Sequence, residues 1–268
     1  MKAKKIWSLL MALAMVSSLA ACGDTAEEDT DTAEVSDQAY VQDKGTLVVG
    51  ITEFEPMDYQ DESGEWVGFD ADLAKEFAES LGVEAQFQII DWDSKVMELD
   101  GKTIDVVWNG MTLTEDVTSA MECSQPYLIN QQVVVVPAAV ADQYQSEDSL
   151  ADLSFAVEIG SAGCETAANG YNYTEVADQA TALLEVASGT ADAAIIDSLM
   201  AGAMIGEGTS YADLTSTVAL TSEEYGVGFR KGSDLAAALN EFLDGKYADG
   251  SIQTLAETYG VQDALVTE

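Results

Sequence analysis

The chain has 268 residues, enough for one large domain or two smaller lobes, and its 47% apolar content can support a core. Its 49 acids against 10 bases give a formal net charge of −39, which repels nucleic acid and anionic membrane surfaces. With no histidine and no CxxC pair, neither a zinc site nor any other metal or cofactor is expected.

Residues 1–21 read as a signal peptide. Basic "MKAKK" precedes "IWSLLMALAMVSSLAA", an apolar run of about sixteen residues that is short for a membrane span. Leu19-Ala20-Ala21-Cys22 resembles a bacterial lipobox, which implies cleavage before Cys22 and lipidation of its thiol. The mature chain is then expected outside the cytoplasm, held to the cell membrane by the lipid on Cys22. Residues 22–43 are acidic, small and poor in apolar side chains, and are expected to form a disordered tether.

Strands and helices alternate from residue 44. "TLVVGI" is a short β-branched strand. "GFDADLAKEFAESLG" places Leu73, Phe77 and Leu81 at helical spacing, with Gly82 past the end. "VEAQFQII" alternates as a half-buried strand, "SKVMELDG" is a short helix, and "TIDVVW" is a strand entering the glycine turn "NGMTLT". This βαβα order implies a parallel sheet with helices on its faces. A second unit follows: strand "QQVVVVP", strand "LSFAVEIG" with its turn "GSAG", helix "ATALLEVASG", and strand "ADAAIIDS" before helix "LMAGAMIG". "EEYGVGFRKG" returns to strand, and two helices, "DLAAALNEFLDG" and "GSIQTLAETYG", close the chain. The spacing of Cys123 and Cys164 leaves their pairing open. Arg230 is the only arginine.

Parallel sheets bind ligands beyond the C-terminal ends of their strands. "TEFEPMDY", "WNGMTLT", "EIGSAG" and "IIDS" occupy such positions, and two units facing each other would form a cleft. The second of these turns offers N–H groups and hydroxyls. Yet its charges are Glu115 and Asp116, with Val117 behind them.

Several ordered motifs across residues 45–260 carry a family resemblance. They are "LVVGITEFEPMDYQDESGEWVGFDADLAKEFAESLG", "DVVWNGMTLTED", "SQPY" before "QVVVV", "GSAG", "ADAAIIDS" and "YGVGFRKG". Together they resemble the bacterial solute-binding proteins of family 3, which capture polar amino acids for ABC transporters. The resemblance implies an α/β fold of the two-lobed periplasmic-binding-protein type (type II). Each lobe is a mainly parallel sheet flanked by helices, and two hinge strands join the lobes. Lobe 1 is expected in 44–130 plus 225–268 and lobe 2 in 131–224, with crossings near Asn130–Gln131 and Tyr225–Gly226. A monomer that closes on a small ligand and docks on a membrane permease is implied.

The resemblance also assigns residues. Phe54 and Trp92 match two rings that cover the ligand, although either ring also reads as packing; Trp108 reads as a third wall or as core. Asn109, Gly110 and Thr112 match the turn that contacts ligand. Thr112 with Glu115 also reads as a capping box, with Thr114 a rival N-cap. Asp197 matches the acid that pairs with an α-ammonium; the competing reading is a cap on the helix from Ser198. Three positions depart from the family pattern. Val117 stands where the carboxylate-binding arginine is expected. Ala162 follows Ser161 where a hydroxyl residue is usual. Glu158 stands at a commonly neutral position. A ligand carboxylate left unpaired there costs ~3–5 kcal/mol. The expected ligand is therefore cationic, without a family-type carboxylate clamp: a small amine, a diamine or a cationic amino-acid derivative. Two other readings stand beside it. One is an ordinary α-amino acid receptor holding the carboxylate on backbone N–H groups at Gly160–Gly163; the other is a non-transport sensory lipoprotein. An enzyme is not expected, because no nucleophile–base pair stands out.

Overall fold

Residues 36–267 are described by the structure, a computed structural model; the signal segment, Cys22 and the tether through residue 35 lie outside the described residues. Residues 37–43, expected as tether, instead belong to helix α1 (Asp37–Lys44). Ser36 caps it by accepting from the Ala39 N–H at 3.0 Å, and Gly45 ends it at φ 78°. The segment is too polar to announce a helix. Tertiary partners hold it: Val41 is fully buried, and Arg230 Nε donates to the Asp37 carboxylate at 2.9 Å. Arg230 also lies 3.6 Å from Asp105 and donates to the carbonyls of Leu99 and Ile104 at 3.3 and 2.9 Å. Lys44 pairs with Asp105 as well. The only arginine is thus a buried bracket between α1 and the sheet.

Strand β1 (Thr46–Ile51) is followed by a small hairpin, β2 (Tyr59–Gln60) and β3 (Trp66–Val67). Helix α2 (Phe69–Ser80) buries Leu73 and Phe77 as its spacing predicts. Then come β4 (Glu84–Ile89), α3 (Lys95–Asp100), β5 (Val106–Thr112), α4 (Glu115–Ala120), β6 (Glu122–Cys123) and β7 (Leu128–Asn130). The second half continues with β8 (Gln132–Pro137), β9 (Ser154–Glu158), α5 (Ala162–Ala168), β10 (Asn172–Val176), α6 (Gln179–Ser188), β11 (Ala193–Asp197), α7 (Ser198–Met204) and β12 (Leu214–Ala219). The chain ends through β13 (Glu223–Phe229), α8 (Leu235–Asp249) and α9 (Ser251–Tyr259). Strands β10 and β12 escape the sequence pattern because they are edge strands whose exposed positions carry Asn, Thr, Glu and Ser.

The first sheet has the order β4-β1-β5-β13-β6, with β7 also on β13; the second has β10-β9-β11-β8-β12. In each sheet one strand runs against the rest: β13 in the first and β8 in the second. These are the strands with which the chain enters each sheet from the other. The parallel strands point their C-terminal ends at the crossing, so a strand that starts there must run back. The chain leaves the first sheet after Asn130 and joins the second at Gln132. It returns between Ala219 and Glu223, earlier than the expected Tyr225–Gly226, because Glu223 to Tyr225 already pair with Asn130 to Leu128.

Arg230→Met is expected to lower unfolding stability by about 3–5 kcal/mol in urea denaturation, since it leaves buried carboxylates short of a partner. Amide exchange over residues 37–44 should rise with it. Unchanged exchange there would show that Arg230 does not hold α1.

Candidate ligand-binding site

The ends of β1, β4 and β5 face those of β9 and β11 across a small cavity of about 20 Å³. Phe54, Trp92, Asn109, Gly110, Thr112 and Val117 line it from one side, and Glu158, Ser161, Ala162 and Asp197 from the other. The two sides are closely apposed. A Cβ on Gly160, at φ 71°, would lie 2.8 Å from Asp93 Cα. Trp108 is fully buried beside Phe77, 6.1 Å between centroids, and belongs to the core.

The expected glycine turn is a bulged strand. β5 runs through to Thr112, and its pairing with β13 shifts between Met111↔Gly226 and Val107↔Gly228. Gly110 sits at φ 55°, and a Cβ there would lie 2.6 Å from the Phe54 ring. Phe54 in turn meets Tyr225 edge-on at 6.4 Å. The Gly110 N–H donates to Asp70 Oδ2 at 2.7 Å, and the Asn109 amide is spent on Thr52 and Asp58. The polar groups of that stretch are therefore largely committed within their own sheet. Beneath it, burial raises the pKa of both Asp58 and Asp70, Asp70 to about 6. Thr114, not Thr112, caps α4, accepting from the Val117 N–H at 3.3 Å; Thr112 donates to Glu223 instead, at 2.9 Å.

Asp197 ends β11 with only 4% exposure. Its carboxylate accepts from Asn130 Nδ2, from Gln179 Nε2, from Gln132 Nε2 at 2.9 Å and from the Tyr225 hydroxyl at 2.7 Å. It makes no capping bond to α7, so the helix-cap reading is overturned. Asn130 Oδ1 takes that role, accepting from the Ser198 hydroxyl and the Leu199 N–H at 2.9 and 3.4 Å. Burial, and then the nearby Glu223 charge, push the Asp197 pKa to about 7. Every donor to it is neutral, and among the described residues it forms no ion pair.

Glu158 is 3% exposed, with Oε1 unpartnered; burial and the charges of Asp197 and Asp178 push its pKa to about 8. Ser161 caps α5 by accepting from the Cys164 N–H at 3.1 Å, and its hydroxyl donates to the Glu158 carbonyl at 2.8 Å. Val117 packs in one cluster with Trp92 and Met111, so Trp92 is both core and cavity wall. Cys123 and Cys164 are both free.

Gly160, from the backbone stretch expected to offer N–H groups, also lines the cavity; Thr52, Met111, Thr114, Glu165 and Gln179 line it beyond the expected residues, as does Lys95, a cation inside it. Lys95 Nζ donates to the carbonyls of Trp92 and Gly160 at 3.1 and 2.9 Å. A lysine in the first turn of a short helix reads as solvated. The only available signal was its place just past the C-terminal end of β4.

The family described as bacterial extracellular solute-binding proteins, family 3, matches residues 47–262. The chain belongs to that family. The L-cystine-binding protein TcyJ of Escherichia coli is 29% identical over 224 residues, 82% of this chain and 84% of that one. A crystal structure of a mutant of ArgBP from T. maritima is 32% identical with a TM-score of 0.77, covering 83% of this chain and 98% of that one. An ancestral amino acid-binding protein, described as a precursor of cyclohexadienyl dehydratase, is 30% identical with a TM-score of 0.76, covering 84% and 99%. The family thus comprises extracellular receptors, and among the described residues no helix is long and apolar enough to cross a membrane.

Glu158 is a buried carboxyl group at the cavity with an oxygen left unpartnered. A carboxyl group with a raised folded-state pKa stabilises the fold fully below its unfolded pKa, and that contribution is lost as pH rises through the folded value. For Glu158 the window runs from 4.5 to about 8. Glu158→Gln, neutral throughout, should therefore gain stability relative to the parent as pH rises through this window in thermal unfolding. A pH-independent difference would show that Glu158 titrates normally.

Proposed function

We propose that the protein is the substrate-binding receptor of an ABC importer, anchored by lipid on Cys22, that captures a small amine-bearing solute. The observation that carries the ligand class is a buried carboxyl group at the cavity, Asp197, with no protein cation paired to it among the described residues. Three carboxyl groups, Glu158, Glu165 and Asp197, face one lysine, while Val117 and Ala162 are apolar where a carboxylate clamp would stand. Asp197, held by neutral donors alone, is the seat for the ligand's ammonium, with Phe54 beside it. A ligand cation completes the charge that the protein leaves open, and a carboxylate at Val117 gains nothing.

The two sheets act as lobes, 44–130 with 223–268 and 132–219, that part to admit ligand and close over it. A monomer presenting the closed lobes to a permease fits the family's transport role. An ordinary α-amino acid ligand is the second reading. It is favoured by the relatives, since TcyJ is named for L-cystine and ArgBP has a solved arginine-bound form. In that reading backbone N–H groups at 160–163 hold the carboxylate. We propose binding without turnover, although one structural neighbour is described as an enzyme precursor.

Mass spectrometry of the small molecule released on denaturing the purified protein should find an amine. In thermal-shift screening, amines and cationic amino-acid derivatives should raise Tm. Strong stabilisation by a neutral or acidic amino acid, with no response to amines, would overturn the reading. Val117→Arg restores a clamp and should improve neutral α-amino acid binding by about tenfold or more, ~1.4 kcal/mol, by calorimetry. No improvement would mean that the missing clamp does not set specificity.

A further inference from the structure

Lys95 begins α3 on the first sheet's side of the cavity, yet it is only 7% exposed. Its ammonium bonds the Trp92 carbonyl on its own side and the Gly160 carbonyl across the cleft. It also stands over the Trp92 ring, 4.8 Å from the centroid. Indole is the strongest aromatic partner for a cation, and this ring already carries one supplied by the protein. An ammonium has three N–H donors, and two of those on Lys95 are spent on carbonyls. Glu158, with its unpartnered Oε1, and Glu165 line the same cavity. Without Lys95 this end would hold two acids and an empty ring, a second seat for a cation.

We infer that Lys95 is a specificity-determining residue: a resident ammonium that fills the cation seat between Trp92 and Glu158. The ligand then places its amine at Asp197 and a neutral hydrogen-bond acceptor, not a second cation, towards Lys95. This rests on the amine-receptor reading and narrows it from amines in general to monocations. It excludes diamines, which the sequence alone left open.

The test compares aminopentanol, a monocation with a hydroxyl at its far end, with diaminopentane, the dication of the same length. Both are titrated by calorimetry into the full chain and into Lys95→Met and Lys95→Gln. The glutamine variant keeps an amide donor for the carbonyls should the methionine variant fold poorly. The parent should bind the amino alcohol more tightly, and both variants should shift the affinity ratio towards the diamine by about tenfold or more. Lys246→Met removes a cation that pairs with Glu76 outside the cavity and should leave the ratio alone. A ratio unchanged within about twofold in the Lys95 variants, or an equal shift with Lys246→Met, overturns the role of Lys95 while leaving the receptor reading intact. Binding of neither probe to any of these proteins sinks the amine reading and this inference with it.

Discussion

The rest of the structure depends on a buried carboxylate, Asp197, which is solvated by the protein rather than paired with one of its cations. Two of its four donors, Asn130 and Gln132, flank the passage from the first sheet to the second; a third, Tyr225, comes from the strand that returns. The same two amides donate to Glu223 at 2.8 Å. The group proposed to hold a ligand's amine is therefore also the group around which the two crossings are organised. Neutral donors favour the ionised form but supply no opposite charge, and burial works against it. Under the proposed function, a ligand cation would supply what is missing, where the two halves of the chain meet.

Scarcity of bases sharpens this arrangement. In a chain of net charge −39, a buried cation is a considerable commitment. Arg230 is used to bracket α1, Asp105 and two carbonyls, and does not line the cavity. Lys95 is placed inside the cavity, against Trp92 and Gly160. Neither occupies the position at which the family resemblance implies an arginine. There Val117 packs against Trp92 and Met111 and extends the apolar wall.

Much of the architecture was legible because it is periodic. Leu73 and Phe77 mark the buried face of α2, and the apolar run "AAII" before Asp197 marks a fully buried strand with a polar end. Glycine marks the stops, as at Gly189 after α6 and Gly260 after α9, both left-handed. The ten residues drawn from the resemblance meet around one cavity because they all lie at the C-terminal ends of strands, or just beyond. What escaped had no period. Helix α1 is polar and depends on Arg230, nearly two hundred residues away. The bulge at Gly110 needs β13 opposite it, and the edge strands β10 and β12 lack an apolar face.

The sequence by itself determined the alternation of elements, the family, and the residue types at the strand ends. It also placed Val117, Ala162 and Glu158 where the family resemblance implies other residues around a ligand carboxylate. Only the tertiary structure decided which polar groups remain available. It committed Asn109 and Gly110 to Thr52, Asp58 and Asp70, surrounded Asp197 with neutral donors, and brought Lys95 over Trp92 into the cavity. The division has a physical reason. Periodicity and capping are local and are written in neighbouring residues, whereas the satisfaction of a buried charge depends on groups that only folding brings together.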